Sequence, residues 1–305
     1  MAALSTNSTD TYSIMVENIR RGLGGDASLD FLLDFAKVKH WLETNPTKKT
    51  KKPLSANSLK TYYCAIKHYI KGNAKFDEVL PMYDGELAKF VAEFKAKQDD
   101  QTLTEDEKRK WVCWDCVIEV REKLLEEFND NPDWELFQDY LILCLYTYEP
   151  PERLDYAPMK FVTEAPADSI ENYCVLNGDK ATFILNSYKT AKKYGTQTNA
   201  ASPEMVEVLK RWKTMNKTEW LLLKGKDKRP MTSQELGLAI KDIFTRHTGS
   251  GATLNILRHS FRTHLHEGEP SLEEQKEIAR RMGHSVMMGQ RYRRIDAEQK
   301  SKSKE

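Results

Sequence analysis

At Pro150-Pro151 the hydrophobic period of this chain changes, and that change constrains its architecture more than any other feature. Before it, apolar residues recur at helical spacing. Phe31, Leu32, Phe35, Val38 and Trp41 form one stripe, Leu59, Tyr62, Ile66 and Tyr69 a second, and a helix over 134–148 stops at the two prolines. After it, 173–176, 182–188 and 195–198 read as a three-stranded antiparallel meander, with Asn177-Gly178 as the first turn and 189–194 as the second loop. From Ser202 helical patterning returns, and Ser271 with Glu274 has the spacing of a capping box. The fold class is therefore mainly α with a small antiparallel β-sheet, the sheet belonging to an α+β second domain.

The same reading divides the chain. Residues 1–27 are polar, end in Gly22-Leu23-Gly24-Gly25 and read as a flexible tail with one amphipathic turn around Ile14 to Ile19. Residues 28–98 form an all-helical domain, with helices from Ser58 and over 86–97. Residues 99–103 are polar and unpatterned, a linker. Thr104 and Glu107 then have capping-box spacing and open a long helix towards Phe128, the start of a domain spanning 104–305.

Composition narrows the function classes. With 305 residues and 40% hydrophobic content the chain can bury two cores. It has no apolar run long enough for a membrane span and no secretory signal, so an intracellular site, nucleus or cytoplasm, is expected. Its five cysteines are scattered and odd in number, which argues against a disulfide framework. Cys113-x-x-Cys116 lacks a second ligand pair, and no phosphate-binding glycine loop is present, so neither metal nor nucleotide cofactor is expected.

The net charge of +1 hides strong segregation. Residues 44–76 carry Lys48, Lys49, Lys51, Lys52, Lys60, Lys67, Lys71 and Lys75 and no acid, whereas 99–139 hold fourteen acids against five bases. The stretch from Lys276 to Lys304 is basic again. One such run is also what a solvated face looks like. Two basic segments bracketing an acidic one fit a groove that follows a phosphate backbone.

The chemistry-bearing residues gather near the end. Leu254, Leu257, Phe261 and Leu265 mark a buried helix face with Arg258 at its edge. His284 follows Gly283 between two helices, and Tyr292 lies in the basic setting Arg291-Tyr292-Arg293-Arg294. Taken alone, Arg258 would also serve as a structural ion pair, and His259 and His264 as hydrogen-bonded core histidines. Together, an arginine, a histidine and a tyrosine in this order suit attack on a phosphodiester.

Leu257-Arg258-His259-Ser260-Phe261 and Gly283-His284-Ser285 resemble the second and third boxes of the tyrosine recombinase/integrase family, and the resemblance covers roughly 103–300. Pro151-Glu152-Arg153-Leu154-Asp155 resembles the first box and implies a role for Arg153. Tyr188-Lys189-Thr190 fits the family's lysine, carried on a β-hairpin turn, and Ser58-Leu59-Lys60-Thr61-Tyr62 is similar to its helical core-binding domain. The resemblance implies a site-specific recombinase using Arg153, Lys189, Arg258, His284 and Tyr292, without ATP or metal, assembled on DNA as a dimer to tetramer. Arg153 and Arg258 would clamp the phosphate, Tyr292 would attack it, and Lys189 would protonate the leaving 5′-hydroxyl.

Three departures point to a divergent branch, among mobile elements of eukaryotes or their viruses. Asn255 stands where the family has a histidine general base and can only hydrogen-bond, so that Asn255, His259 and Asp155 are the supporting candidates. The step from His284 to Tyr292 is one residue short of the usual spacing. Tyr156 replaces a glutamate, with Asp155 one position earlier. A type IB topoisomerase-like nicking-closing enzyme and a non-catalytic DNA-binding descendant are the alternatives, although the latter should have lost one of the five residues.

Overall fold

A computed structural model of the protein describes residues 6–45 and 52–295. The chain divides between Asp100 and Gln101 into two compact units.

The first unit is helical: α1 (Thr6–Leu23), α2 (Phe35–Thr44), α3 (Ala56–Ile70) and α4 (Leu80–Asp100). Its core joins Ile19, Val38, Leu42, Tyr63, Ile66, Phe76 and Tyr83, and the Tyr83 hydroxyl donates to the Leu32 carbonyl at 2.9 Å. Ser55 caps α3, three residues before the expected start. The expected tail at 1–27 is corrected, because α1 packs on α2 and α3 with Val16 and Ile19 buried. Few apolar residues carry that buried stripe, so its periodicity is diluted by polar neighbours. The expected linker at 99–103 is also occupied: Asp99 and Asp100 finish α4, and Thr102 pairs with Ile295 as an isolated parallel bridge.

The second unit begins with α5 (Glu105–Lys110), α6 (Trp114–Asp130) and α7 (Trp134–Thr147). The Thr104–Glu107 capping box forms as the spacing required. The single long helix expected to run on to Phe128 is interrupted at Trp111–Cys113, where the Cys113 sulfur caps α6 by accepting from the Cys116 N–H at 3.1 Å. Cys113 and Cys116 are disulfide-bonded to each other, a local bridge where none was expected.

Strands β1 (Lys160–Val162), β2 (Tyr173–Asn177) and β3 (Lys180–Leu185) lead to a short helix α8 (Ala191–Tyr194) and strand β4 (Gln197–Ala200). The sheet order is β1-β2-β3-β4, with β2-β3-β4 antiparallel and β1 parallel to β2. The sheet is thus mixed rather than wholly antiparallel. Lys160-Phe161-Val162 is too short to show alternation, which hid the fourth strand. The rest is α9 (Pro203–Met215), a small pair β5 (Leu223–Lys224) and β6 (Arg229–Pro230), α10 (Ser233–Thr248), α11 (Leu254–Glu267), α12 (Leu272–Arg281) and α13 (Val286–Tyr292). Leu141, Leu145, Phe183, Leu209, Trp212, Ile240 and Leu257 share one core, and Phe261 of α11 meets Trp114 of α6 edge-on at 5.1 Å. No helix among the described residues is long and apolar enough to cross a membrane.

Candidate active site

Arg258 is drawn inward because it lies one turn after the buried Leu254 on α11, and it is only 1% exposed. Its guanidinium donates to the carbonyls of Pro151 and of Met282, the latter at 3.2 Å, while its Nε is buried without a partner. Burial lowers its proton affinity and the nearby Tyr292 phenol opposes that effect, but a guanidinium keeps its charge in proteins.

The end of α12 builds the next part. Gly283 adopts a left-handed φ of 67°, its N–H bonds the Arg280 carbonyl, and the His284 N–H bonds the Ala279 carbonyl, each at 3.0 Å. This glycine-terminated C-cap frees the Gly283 carbonyl to accept from Arg153 Nη1 at 3.2 Å and from Thr190 Oγ1 at 3.0 Å. One backbone oxygen thereby gathers Arg153 and the loop that carries Lys189. Lys189 itself is exposed, on a loop between β3 and α8 rather than in a tight hairpin turn.

His284 is 7% exposed. Its Nδ1 lies 3.0 Å from the Ser285 carbonyl, which can only accept, so the proton sits on Nδ1 and Nε2 presents a lone pair that no group satisfies. Burial first, then Arg258, pushes its pKa down to about 4, so the ring is neutral.

Tyr292 is half-buried at the end of α13. Its ring stacks on His284 at 5.3 Å, tilts against His259 at 5.0 Å, and has the Arg258 guanidinium carbon 4.9 Å from its centroid. His259 Nδ1–H donates to the Tyr292 carbonyl at 2.7 Å, and its Nε2 accepts from Arg294 at 3.0 Å. Arg294 in turn pairs with Glu107 at 2.7 Å. Burial, with Arg294 adding to it, pushes the His259 pKa down to about 4, so this neutral histidine has both nitrogens engaged.

Of the residues picked from sequence, Arg153, Arg258, His284, Tyr292 and His259 come together. Asn255 does not, lying exposed on the first turn of α11. Asp155 is half-buried near Arg153 and Arg258, and desolvation pushes its pKa up to about 6 against their pull. Glu152, which no sequence pattern singled out, is buried; Asn199 donates to one of its oxygens at 3.0 Å and the other has no partner. Burial, reinforced by Asp155, pushes its pKa up to about 8, and it is protonated at neutral pH. Arg262 was also missed, although its place four residues after Arg258 puts it on the same helix face.

In the first unit, Lys52 and Lys71 are exposed. Lys60 lies 3.5 Å from the centroid of the Phe94 ring, and Lys67 pairs with Asp84 at 2.6 Å. Lys48, Lys49 and Lys51 fall outside the described residues.

No protein-family model matches the sequence, and no curated protein sequence matches it. Among solved structures, the chain is similar to the XerA recombinase, at 13% identity over 98% of this chain and 92% of that one, with a TM-score of 0.41. It is likewise similar to the XerH site-specific recombinase bound to difH substrate in a pre-cleavage complex, at 13% identity over 99% and 97% of the two chains and a TM-score of 0.41. The Tn1549 transposon integrase in complex with a circular intermediate DNA is similar at 15% identity over 97% of this chain and 98% of that one, with a TM-score of 0.40.

Proposed function

We propose that this protein is a site-specific DNA recombinase that cleaves and rejoins double-stranded DNA through a 3′-phosphotyrosyl bond to Tyr292. The observation that carries this reading is the convergence of Arg153, Arg258 and His284 on the Gly283-His284 turn beneath the Tyr292 ring, with buried nitrogens on Arg258 and His284 that no protein group satisfies. Buried unpaired polar atoms are costly, and a phosphodiester brings acceptor oxygens that would use the Arg258 Nε–H directly and the His284 nitrogen once it has taken a proton.

In the proposed step the Tyr292 oxygen bonds to phosphorus as the phenol gives up its proton to solvent at the half-exposed ring, the bond from phosphorus to the 5′-oxygen breaks, and Lys189 gives the departing oxygen its proton. Arg153 and Arg258 neutralise the non-bridging oxygens. His284 is neutral in the empty site; a bound anion raises its proton affinity and turns Nε2 from an acceptor into a donor to the phosphate. His259, with both nitrogens committed, holds the backbone of Tyr292. Attack by a 5′-hydroxyl on the phosphotyrosine reverses the sequence, and because one ester replaces another, no ATP or metal enters it.

Lys48, Lys49, Lys51, Lys52, Lys60, Lys67 and Lys71 supply phosphate contacts in this reading. The ion pair and cation–π contact that engage two of them are worth little at a surface and exchange readily for phosphate. Dimers to tetramers on DNA would bring two duplexes together for exchange. The test is incubation with a labelled pool of mixed-sequence duplexes followed by denaturing electrophoresis. The wild type should leave a protein-linked band, and Tyr292→Phe should bind the pool equally well and leave none. A persisting band would remove Tyr292 from the nucleophile's role.

A further inference from the structure

Arg262 is fully buried, at 0% exposure, one turn beyond Arg258 on α11. Its Nε donates to the Gly289 carbonyl at 3.2 Å, but Nη1 and Nη2 are buried with no hydrogen-bond partner, and no carboxylate among the described residues pairs with it. The contact is close enough to dictate its partner. A Cβ on Gly289 would lie 2.8 Å from Arg262 Nη2, 3.0 Å from its Cζ and 3.0 Å from His284 Cε1. Only glycine lets the guanidinium, the His284 ring and α13 meet there.

Such a guanidinium does not serve stability. A buried charge without a counter-charge loses its hydration and gains nothing in return, and a methionine or leucine would fill the same volume without that loss. What the arginine does is local. It grips α13 three residues before Tyr292, and it sets a positive charge against His284.

We propose that Arg262 is a positioning residue of the strand-transfer centre: it fixes the α13 turn that carries Tyr292 through the Gly289 carbonyl, and it sets a positive charge beside the His284 ring. This rests on the reading of Tyr292 as the nucleophile. Arg262 acts through Gly289 and His284, and does not itself touch the reacting atoms. The charged groups facing His284 are Arg258, Arg262 and Arg153, all cationic, so each adds to the suppression of its protonation in the empty site. His266, whose ring nitrogen is likewise buried without a partner, faces Arg262 and Arg293.

The experiment compares full-length wild type, Arg262→Met, Arg262→Lys and Gly289→Ala for thermal unfolding, binding to the mixed-sequence duplex pool, and the rate of covalent adduct formation across pH. Arg262→Met removes charge and donors but keeps volume. It should fold, bind DNA as the wild type does, and form adduct at least about tenfold more slowly, the effect of a lost buried charged hydrogen bond. Its pH–rate profile should also move upward, because His284 gains protons more readily. Arg262→Lys should be similarly slow yet keep the wild-type profile, since it retains the charge without the guanidinium fork. Gly289→Ala should be slow, and combining it with Arg262→Met should add little. A wild-type rate and profile in Arg262→Met overturns the proposal; if that variant does not fold, a wild-type rate in Arg262→Lys overturns it instead. Absence of adduct from the wild type itself would mean that the nucleophile reading fails, and the positioning role falls with it.

Discussion

The imidazole of His284 and the phenol of Tyr292 lie face to face, 5.3 Å between centroids and 21° between planes. A lone pair on an imidazole nitrogen lies in the plane of the ring, so the open Nε2 of His284 is not aimed into the phenol face that it covers. The stack fixes where the tyrosine ring sits, and the nitrogen is left for something else.

That separation of tasks can be tested with His284→Phe. Phenylalanine keeps the stack and loses Nε2, so Tyr292 should stay in place, and DNA binding and thermal stability should change little. Adduct formation should drop by roughly 10² to 10³, the usual cost of removing one hydrogen-bond donor to a developing anion. A rate equal to wild type would confine His284 to packing.

Gly283→Ala tests the turn that gathers the site. At φ 67° an alanine is strained, and its Cβ would come 3.0 Å from Arg153 Nη1. Unfolding in denaturant should reveal a loss of about 1–2 kcal/mol, and the adduct rate should fall further than stability alone explains because Arg153 is displaced. Unchanged activity at reduced stability would show that Arg153 tolerates the shift.

Glu152 gives a pH signature. Its carboxyl has an ordinary pKa of 4.5 and is pushed up to about 8 in the folded protein by burial and by Asp155. Between those values the folded chain holds a proton that the unfolded chain has released, so the stability this group contributes is complete below pH 4.5 and is lost as pH rises towards 8. Glu152→Gln mimics the protonated form. Melting curves at pH 5, 7 and 9 should show the variant gaining on the wild type at each step, and parallel pH dependence in the two proteins would refute the assignment.

Lys189 is exposed, next to Thr190, whose hydroxyl ties the loop to the Gly283 carbonyl, and the proposed general-acid role can be tested there. Lys189→Ala should be inactive on ordinary DNA and recover on a duplex with a 5′-bridging phosphorothiolate, whose sulfur leaves without a proton. Equal failure on both substrates would take the general-acid role away from Lys189.

Linear pattern carried the reading of this chain as far as linear pattern goes. The capping boxes at Thr104 and Ser271 formed at their expected places because each is a four-residue local interaction. The break at Trp111–Cys113 was invisible because apolar residues keep a helical period across it, and β1 was invisible because three residues cannot display a period of two. Arg153, Arg258, His284 and Tyr292 stood out through their order and neighbours. Glu152 and Arg262 did not, since what distinguishes them is the absence of a partner in a buried setting, and that exists only once Asn199, Gly289 and the surrounding helices have closed around them.

The Glu107–Arg294–His259 chain of contacts bears on who supplies the nucleophile to whom. It begins in a capping box near the start of the second unit and ends on the carbonyl of Tyr292, while Thr102 and Ile295 are zipped together alongside. The backbone at Tyr292 is therefore held from behind by contacts within its own polypeptide. In the recombinase reading proposed above, a tyrosine held in this way cuts beside the arginines of its own chain, and a mixture of Arg258-deficient and Tyr292-deficient chains should then form no adduct.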